Sequence, residues 1–222
     1  MIRPRANVYI DGFNLYKRSL SGRTGVKWLD LAALAELALP EFKIQKIYYF
    51  TARLKPGATF DARAPQRQQV YLRALATRTS KIEVVYGNFR SDPRYLVALP
   101  KIEDETGNAW ATTKVLKTEE KGTDVNLAGR LVADLLTSAC DIGVVVTNDS
   151  DQVGPIKMLT DEFKCRVGLL FPFQEGAKAN RELRSTTVEF AQSITLQQLQ
   201  RSQFAHVLTD AHGEIHIPPE WI

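Results

Sequence analysis

The most informative hydrophobic pattern in the chain is an apolar run that ends abruptly in carboxylates. Residues 143–146 read Gly-Val-Val-Val and lead directly into Thr-Asn-Asp-Ser-Asp at residues 147–151. An unbroken β-branched run predicts a strand that is buried on both faces, as in a parallel sheet. The polar residues that follow then lie at the carboxyl end of that strand, where ligands bind in open α/β sheets. We therefore expect the functional site to include Asp149 and Asp151.

The same pattern opens the chain, and helical periods alternate with strands between the two runs. Residues 7–10 are apolar apart from Asn7, and they are followed by Asp11-Gly12-Phe13-Asn14. Strands are predicted over residues 7–10, 44–51, 82–86, 143–146 and 165–171, and helices over residues 14–20, 28–38, 63–79 and 124–138. Strands that alternate with helices predict an α/β fold with a central, mainly parallel sheet.

Two stretches depart from this alternation. Residues 95–102 and 110–116 are β-rich and flank Glu105-Thr106-Gly107-Asn108, which predicts an inserted β-hairpin over residues 95–116. Near the end, residues 195–203 have an amphipathic helical period, and residues 206–217 are typical of a hairpin. We predict one domain over residues 6–190 and a C-terminal helix and hairpin extension over residues 191–222.

Composition narrows the class of protein without assigning a function. A chain of 222 residues can bury a sizeable core, and its net charge of +4 favours polyanionic partners weakly. Cys140 and Cys165 have no CxxC spacing, so we expect buried free thiols in a reducing compartment. Because no apolar run is long enough to span a bilayer and no leader pattern is visible, we expect a cytoplasmic protein without membrane contact.

Basic side chains are concentrated in residues 53–90, where Arg67 and Arg73 lie on the polar face of the predicted helix over residues 63–79. Two interpretations stay open at this point. The face can be an ordinary solvated helix surface, or it can be a surface that contacts nucleic acid.

Four aspartates are predicted at one edge of the sheet: Asp11, Asp124, Asp149 and Asp151. Each could also cap a helix, and a single aspartate at a strand end is more often a cap than a ligand. If the strands over residues 7–10 and 143–146 are neighbours, however, the four carboxylates converge. Such crowded charges require a cation, and oxygen ligands without nearby cysteine or histidine select Mg²⁺ or Mn²⁺. A bound ion of this kind supports phosphate hydrolysis by lowering the pKa of a bound water.

Other polar residues near this edge have two possible roles. Asn14, Thr147 and Asn148 can orient ligands or bind a substrate phosphate. They can equally be turn and cap residues that bond their own backbone.

Three motifs, in this order and spacing, resemble the NYN domain family, a branch of the PIN-like nucleases. They are Asp11-Gly12-Phe13-Asn14, Lys121-Gly122-Thr123-Asp124 and Thr147-Asn148-Asp149-Ser150-Asp151. The resemblance covers about residues 6–172. It implies a PIN-like three-layer α/β/α fold, metal-dependent cleavage of RNA, and an acidic cluster of Asp11, Asp124, Asp149 and Asp151 with Asn14 beside it. One position departs from the family pattern, because Gln152 stands where an aromatic residue is frequent.

The leading hypothesis from the sequence is a Mg²⁺- or Mn²⁺-dependent ribonuclease that hydrolyses RNA. Its predicted substrate contacts are Thr147, Asn148, Lys121, Arg67 and Arg73. A non-catalytic nucleic-acid-binding or regulatory protein of the same fold is the alternative. A phosphatase with a strand-end aspartate nucleophile is disfavoured, because Phe13 occupies the position of its second acid. A homodimer is possible through the C-terminal hairpin.

Overall fold

The strands of the chain form a mixed α/β fold around a central, mostly parallel sheet. The computed structural model describes residues 3–55, 61–78, 80–103, 105–107, 110–176 and 179–222. The strands are β1 (Arg5–Asp11), β2 (Lys43–Ala52), β3 (Ile82–Val97), β4 (Thr112–Lys121), β5 (Ile142–Val146), β6 (Val167–Phe171), β7 (Phe190–Ser193), β8 (Val207–Asp210) and β9 (Gly213–His216). Within the described residues, the main sheet has seven strands in the order β4-β3-β2-β1-β5-β6-β7.

Helices connect these strands and cover the sheet. They are α1 (Gly12–Leu15), α2 (Leu31–Ala38), α3 (Ala64–Ala76), α4 (Thr123–Leu136), α5 (Val153–Lys157), α6 (Arg181–Arg184) and α7 (Leu196–Arg201). Short π-helical segments continue α1 over Tyr16–Leu20 and α5 over Met158–Glu162, and 3-10 turns lie at Ser150–Gln152 and Pro219–Trp221. None of the helices in the described ranges is both long and apolar enough to cross a membrane.

Strand β1 lies at the centre of the sheet, parallel to β2 on one side and to β5 on the other. Its pairing with β5 is in register from Ala6 opposite Ile142 to Ile10 opposite Val146. The two strands predicted to carry carboxylates are therefore neighbours, and the residues that follow them lie side by side.

Strand β1 is buried on both faces, and each face belongs to a different hydrophobic cluster. Ala6, Val8 and Ile10 pack with the side chains of α2 and α3, including Leu34 and Leu75. Tyr9 points to the other face, where the cluster includes Leu127 and Leu131 of α4 and Ile156 of α5. This double burial explains why β1 and β5 read as apolar runs rather than as alternating strands.

The predicted hairpin is a longer ribbon that continues one of the parallel strands. Residues 82–87 of β3 pair with β2, and residues 88–97 of the same strand pair only with antiparallel β4. The ribbon thus projects beyond the carboxyl edge of the sheet. The predicted strand limits of 95–102 and 110–116 are wrong, because the adjoining residues are polar and give no apolar signal. Polar cross-strand pairs connect β3 and β4 in this part of the ribbon, such as Ser91 and Thr118, whose hydroxyl oxygens lie 2.8 Å apart.

Parts of two predicted elements lie outside the described residues. The predicted turn at residues 105–108 includes Asn108, and the predicted helix over residues 63–79 includes Thr79; neither residue is described. The described part of that helix, α3, ends at Ala76.

The C-terminal residues pack back onto the α2 and α3 side of the sheet. Strand β7, which the sequence pattern did not indicate, pairs with β6. Thr195 then caps α7 through a reciprocal capping box with Gln198. The β8–β9 hairpin follows, and Trp221 packs against Trp28 and Tyr71 with ring centroids 6.2 and 6.1 Å apart.

A buried carboxylate fixes α4 against β1. Asp134 accepts hydrogen bonds from Asn7 Nδ2 at 2.9 Å and from the Tyr9 hydroxyl at 2.8 Å. Arg130, one turn earlier, forms an ion pair with Asp134 at 3.0 Å and donates to the Tyr48 hydroxyl at 2.6 Å. This network sets the position of α4, the helix that carries Asp124.

We expect Asp134→Ala to lower the free energy of unfolding by about 2–4 kcal/mol, because the Asn7 amide and the Tyr9 hydroxyl would both remain buried without an acceptor. Urea unfolding followed by tryptophan fluorescence measures this change. Replacement of the exposed Glu41 by alanine is the control and should change stability by less than about 0.5 kcal/mol. Equal effects of the two substitutions would show that the network does not stabilise the fold.

Candidate metal centre

Asp11 ends β1 and is the most buried carboxylate of the predicted site, with 6% of its surface exposed. Its Oδ1 accepts a hydrogen bond from the backbone N–H of Asn14 at 2.9 Å, so Asp11 caps α1. Its Oδ2 accepts from the Thr147 hydroxyl at 2.9 Å. Asp11 therefore has the capping role, which was one of the two roles that the sequence allowed, and it also bonds to the end of the neighbouring strand.

Three of the four predicted carboxylates come together at the sheet edge. Asp11, Asp124 and Asp149 each offer one oxygen, and these oxygens all lie within 4.8 Å of one another. Asp149 follows β5 and also caps the next turn, since its Oδ1 accepts from the Asp151 amide at 3.2 Å. Asp124 reaches the cluster from the first turn of α4. The arrangement offers a small ion three oxygen ligands from three different segments.

Asp151 is exposed and lies outside the group of three oxygens. It occupies the 3-10 turn after Asp149, so its side chain points away from the strand edge toward solvent. Its charge still acts on the cluster, because it is one of the groups that raise the pKa of Asp124.

Burial and the nearby negative charges disfavour ionisation of Asp11 and Asp124. Burial raises the pKa of Asp11 to about 6, with smaller contributions from Asp124 and Asp149, against the lowering effect of the bonds from Asn14 and Thr147. Burial also raises the pKa of Asp124, and the charges of Asp149 and Asp151 add to that rise. A bound cation would offset both effects, since it favours the ionised carboxylates.

The neighbouring polar residues hold the two strand ends together. The backbone N–H of Asn148 donates to Asn14 Oδ1 at 3.0 Å, and Asn148 Oδ1 accepts from the backbone N–H of Asn180 at 2.6 Å. Thr147 Oγ1 accepts from the Asp149 amide at 3.1 Å while its hydroxyl donates to Asp11. Asn14, Thr147 and Asn148 therefore act as turn and cap residues that position the carboxylates.

Two further side chains lie near the cluster: Gln152, which the sequence marked only as a departure from the family pattern, and Glu120, which was not found from the sequence. Gln152 is almost fully buried, and its Nε2 donates to the Asp124 backbone carbonyl at 3.4 Å. Its Oε1 and the Oε1 of Glu120 are buried and have no hydrogen-bond partner. Burial raises the pKa of Glu120, with a further contribution from Asp124. Gln152 thus connects α4 to the segment that carries Asp149, and only the folded chain reveals this contact.

The basic residues predicted to contact substrate are engaged in ion pairs within the chain. Arg67 bridges Asp61 and Glu220, the latter at 3.3 Å. Arg73 binds Asp210 of the C-terminal hairpin at 2.6 Å. Lys121 lies 3.3 Å from Glu119 on the same strand. These cations stabilise the packing of α3 and the ribbon, and none of them belongs to the group of residues at the carboxylate cluster.

Comparison with known proteins identifies a sequence relative and a structural neighbour of this chain. The chain is 29% identical over 205 residues to 6-hydroxy-3-succinoylpyridine 3-monooxygenase HspA of Pseudomonas putida (strain DSM 28022 / S16), in an alignment that covers 84% of this chain and 64% of the relative. The chain thus spans less than two thirds of that relative's length. A crystal structure of a protein of unknown function from Vibrio parahaemolyticus RIMD 2210633 superposes with a TM-score of 0.49 and 14% identity, covering 87% of this chain and 94% of that one. No family model matches the chain.

The relative corrects the function expected from the sequence. Its name describes a monooxygenase, which is an oxidoreductase, whereas the motifs suggested a ribonuclease or a non-catalytic nucleic-acid-binding protein. The ribonuclease hypothesis is wrong on this comparison. The reason for the error is physical: a carboxylate cluster selects a hard cation, but it does not specify the reaction that takes place beside the cation.

Proposed function

We propose that this chain is a divalent-cation-dependent oxidoreductase that oxygenates a small aromatic substrate. The observation that carries the proposal is the convergence of Asp11, Asp124 and Asp149, whose oxygens lie within 4.8 Å of one another at the carboxyl edge of the sheet. The class of reaction is taken from the name of the relative that is 29% identical.

The donor set fits a hard divalent ion. All three candidate ligands are carboxylates, which favours Mg²⁺ or Mn²⁺ over ions that prefer sulfur or imidazole. Asp11, Asp124 and Asp149 would hold the ion, and Thr147 and the Asn14 amide would fix the orientation of the Asp11 carboxylate. Once bound, such an ion supplies a Lewis acid that polarises a substrate oxygen.

The proposed substrate class is a hydroxylated pyridine with a carboxylate-ended side chain, the kind of compound named for the relative. Monooxygenation transfers one oxygen atom of O₂ to the organic product and reduces the other to water, so it consumes two electrons from a reductant such as NADH. The oxygens of a hydroxyl or a keto group are hard ligands that suit a carboxylate-held ion.

The order and spacing of the three acidic motifs support a finer proposal about the fold. We infer that the sheet has the PIN-like arrangement and that the chain is related to the NYN domain family. The neighbouring positions of β1 and β5 agree with that inference, since both carry their aspartates to one edge.

The cation site itself is tested by replacing one ligand. Asp149→Asn should weaken Mn²⁺ binding by about 100-fold, because a charged ligand becomes neutral while the fold is kept. Isothermal titration calorimetry with Mn²⁺ measures the change. Asp151→Asn is the matched control, two residues away and outside the group of three oxygens, and should weaken binding much less than Asp149→Asn does, because it removes only a nearby charge and no ligand. Similar losses in both variants would exclude the assigned ligand set.

The raised pKa of Asp11 predicts how stability depends on pH without metal. An acid whose pKa rises from 3.8 to about 6 on folding stabilises the protein at low pH, and this contribution is lost as the pH rises through 6. In EDTA at pH 7, Asp11→Asn should therefore increase the free energy of unfolding by about 1–3 kcal/mol. The gain should largely disappear at pH 4.5, where the wild-type carboxyl is mostly neutral. Urea unfolding of both proteins at the two pH values measures this difference. A variant less stable than the wild type at pH 7 would contradict the prediction.

The reaction is tested with 6-hydroxy-3-succinoylpyridine, NADH and ¹⁸O₂, with Mn²⁺ or EDTA and with or without added flavin. We expect one ¹⁸O atom in the organic product by mass spectrometry, at least a tenfold loss of rate in EDTA, and a similar loss in Asp149→Asn. Asp151→Asn should retain activity. If wild-type protein with Mn²⁺ demonstrably bound yields no labelled product, the oxidoreductase proposal fails while the cation site stands.

A further inference from the structure

We propose that a cavity beside the carboxylate cluster binds an aromatic carboxylate, with the ring in the cavity and the carboxylate on Arg18 and Arg23. The inference rests on the proposed function, because it names the substrate class of that same site. It is carried by the shape of the cavity, its aromatic wall, and two cations that have no acidic partner among the described residues.

The cavity has a volume of about 340 Å³ and opens at the carboxyl edge of the sheet. It lies where β5, β6 and β7 end, and its lining residues are Asn148, Phe171, Pro172, Phe173, Gln174, Ala179, Ser193, Ile194 and Thr195. A volume of this size is at the lower end of small-molecule sites, which suits one substituted ring. Asn148, one of its lining residues, directly precedes Asp149 of the carboxylate cluster.

The wall of the cavity favours a planar, apolar group. Phe171 and Ile194 are almost fully buried beneath it, and Phe173 is half-buried at its side. Aromatic rings pack well against such surfaces in stacked or edge-on arrangements. Gln174, Ser193 and Thr195 add polar groups at the opening, so the cavity combines an apolar base with a polar rim.

Two arginines reach the cavity from the segment that follows α1. Arg18 Nη1 donates to Gln174 Oε1 at 2.7 Å, and the Arg23 guanidinium lies 5.1 Å from the centroid of the Phe173 ring. Arg23 Nη1 also donates to the carbonyl of Arg18 at 2.9 Å and to that of Ser19 at 3.3 Å. Both side chains are half-buried, and they contact two neighbouring residues of the cavity lining, Gln174 and Phe173.

These arginines differ from the other arginines discussed here. Arg67, Arg73 and Arg130 each bind a carboxylate of this chain. Across the residues that the structure describes, neither Arg18 nor Arg23 forms an ion pair with an acidic side chain. Two guanidinium groups that contact the neighbouring cavity residues Gln174 and Phe173 and have no counter-ion favour an anion, and a carboxylate suits their planar donor geometry.

The combined geometry selects the ligand. The cluster of Asp11, Asp124 and Asp149 repels an anion unless a cation is bound, whereas Arg18 and Arg23 attract one. A ligand with its carboxylate on the arginines and its ring in the cavity would therefore direct the opposite end of the ring toward Asn148 and the metal centre. A simple phosphate ion would use the arginines alone and would leave the aromatic wall without a role.

Binding of 3-benzoylpropionate in EDTA tests the inference without metal or turnover. Calorimetry or ligand-observed NMR should detect binding to the wild type and a loss of affinity of about tenfold or more in Arg18→Gln and in Arg23→Gln. Arg201→Gln removes an exposed arginine at the end of α7 and is the matched control, expected to bind as the wild type does. The methyl ester of the ligand should bind at least tenfold more weakly.

A second variant tests the cavity separately from the charges. Ala179→Leu fills the space while keeping both arginines, so it should weaken binding of 3-benzoylpropionate; thermal melting shows whether the variant is folded. Unchanged binding in a folded Ala179→Leu protein, or competition by inorganic phosphate at equal concentration, would overturn the inference. If the wild type binds Mn²⁺ and oxygenates its substrate but does not bind 3-benzoylpropionate, this inference fails and the proposed function stands. Binding without any oxygenation supports it and counts against the proposed reaction.

Discussion

The pairing of β1 with β5 is the constraint on which the candidate site depends. Because Ile10 lies opposite Val146, Asp11 and Thr147 end their strands side by side, and one hydroxyl bonds directly to the Asp11 carboxylate. A shift of one residue would turn every side chain of β1 to the other face of the sheet. The hydrophobic clusters on both faces therefore fix the position of the carboxylate as firmly as they fix the strand.

The third ligand candidate depends on a different interaction. Asp124 belongs to α4, and that helix is attached to β1 by the buried Asp134, which accepts from Asn7 and Tyr9. A buried carboxylate with several donors ties two elements in one relative position. The contacts of Asp134 near the C-terminal end of α4 therefore help to set where the first turn of the helix lies, and with it the position of Asp124 in the carboxylate cluster.

Apolar runs allowed the sequence to predict the central strands and the edge at which the aspartates meet, because double burial leaves a clear pattern. The extension of β3, and β7 with its four residues, could not be predicted from polar or short segments. Asp134 reads as a surface residue of α4, and its burial depends on partners 125 and 127 positions away. The ion pairs of Arg67 and Arg73 likewise join residues that only the fold brings together. The reaction could not be predicted from the carboxylates, since the same donor set serves many chemistries.

The proposed orientation of a small substrate depends on the distribution of charge at the carboxyl edge of the sheet. Three carboxylates, on β1, on α4 and after β5, come together at this edge. Asn148, which precedes Asp149, lines the neighbouring cavity, and the Gln174 and Phe173 side chains of that cavity contact two arginines that have no acidic partner within the described chain. The carboxylates repel an anion and the arginines attract it, and a cation bound by the carboxylates would offset their negative charge. A ligand with a hydroxyl or keto oxygen at one end and a carboxylate at the other would bind in one orientation, with its carboxylate on the arginines and its oxygen toward the cation. The orientation of the substrate would then follow from electrostatics, and the aromatic wall would select its shape.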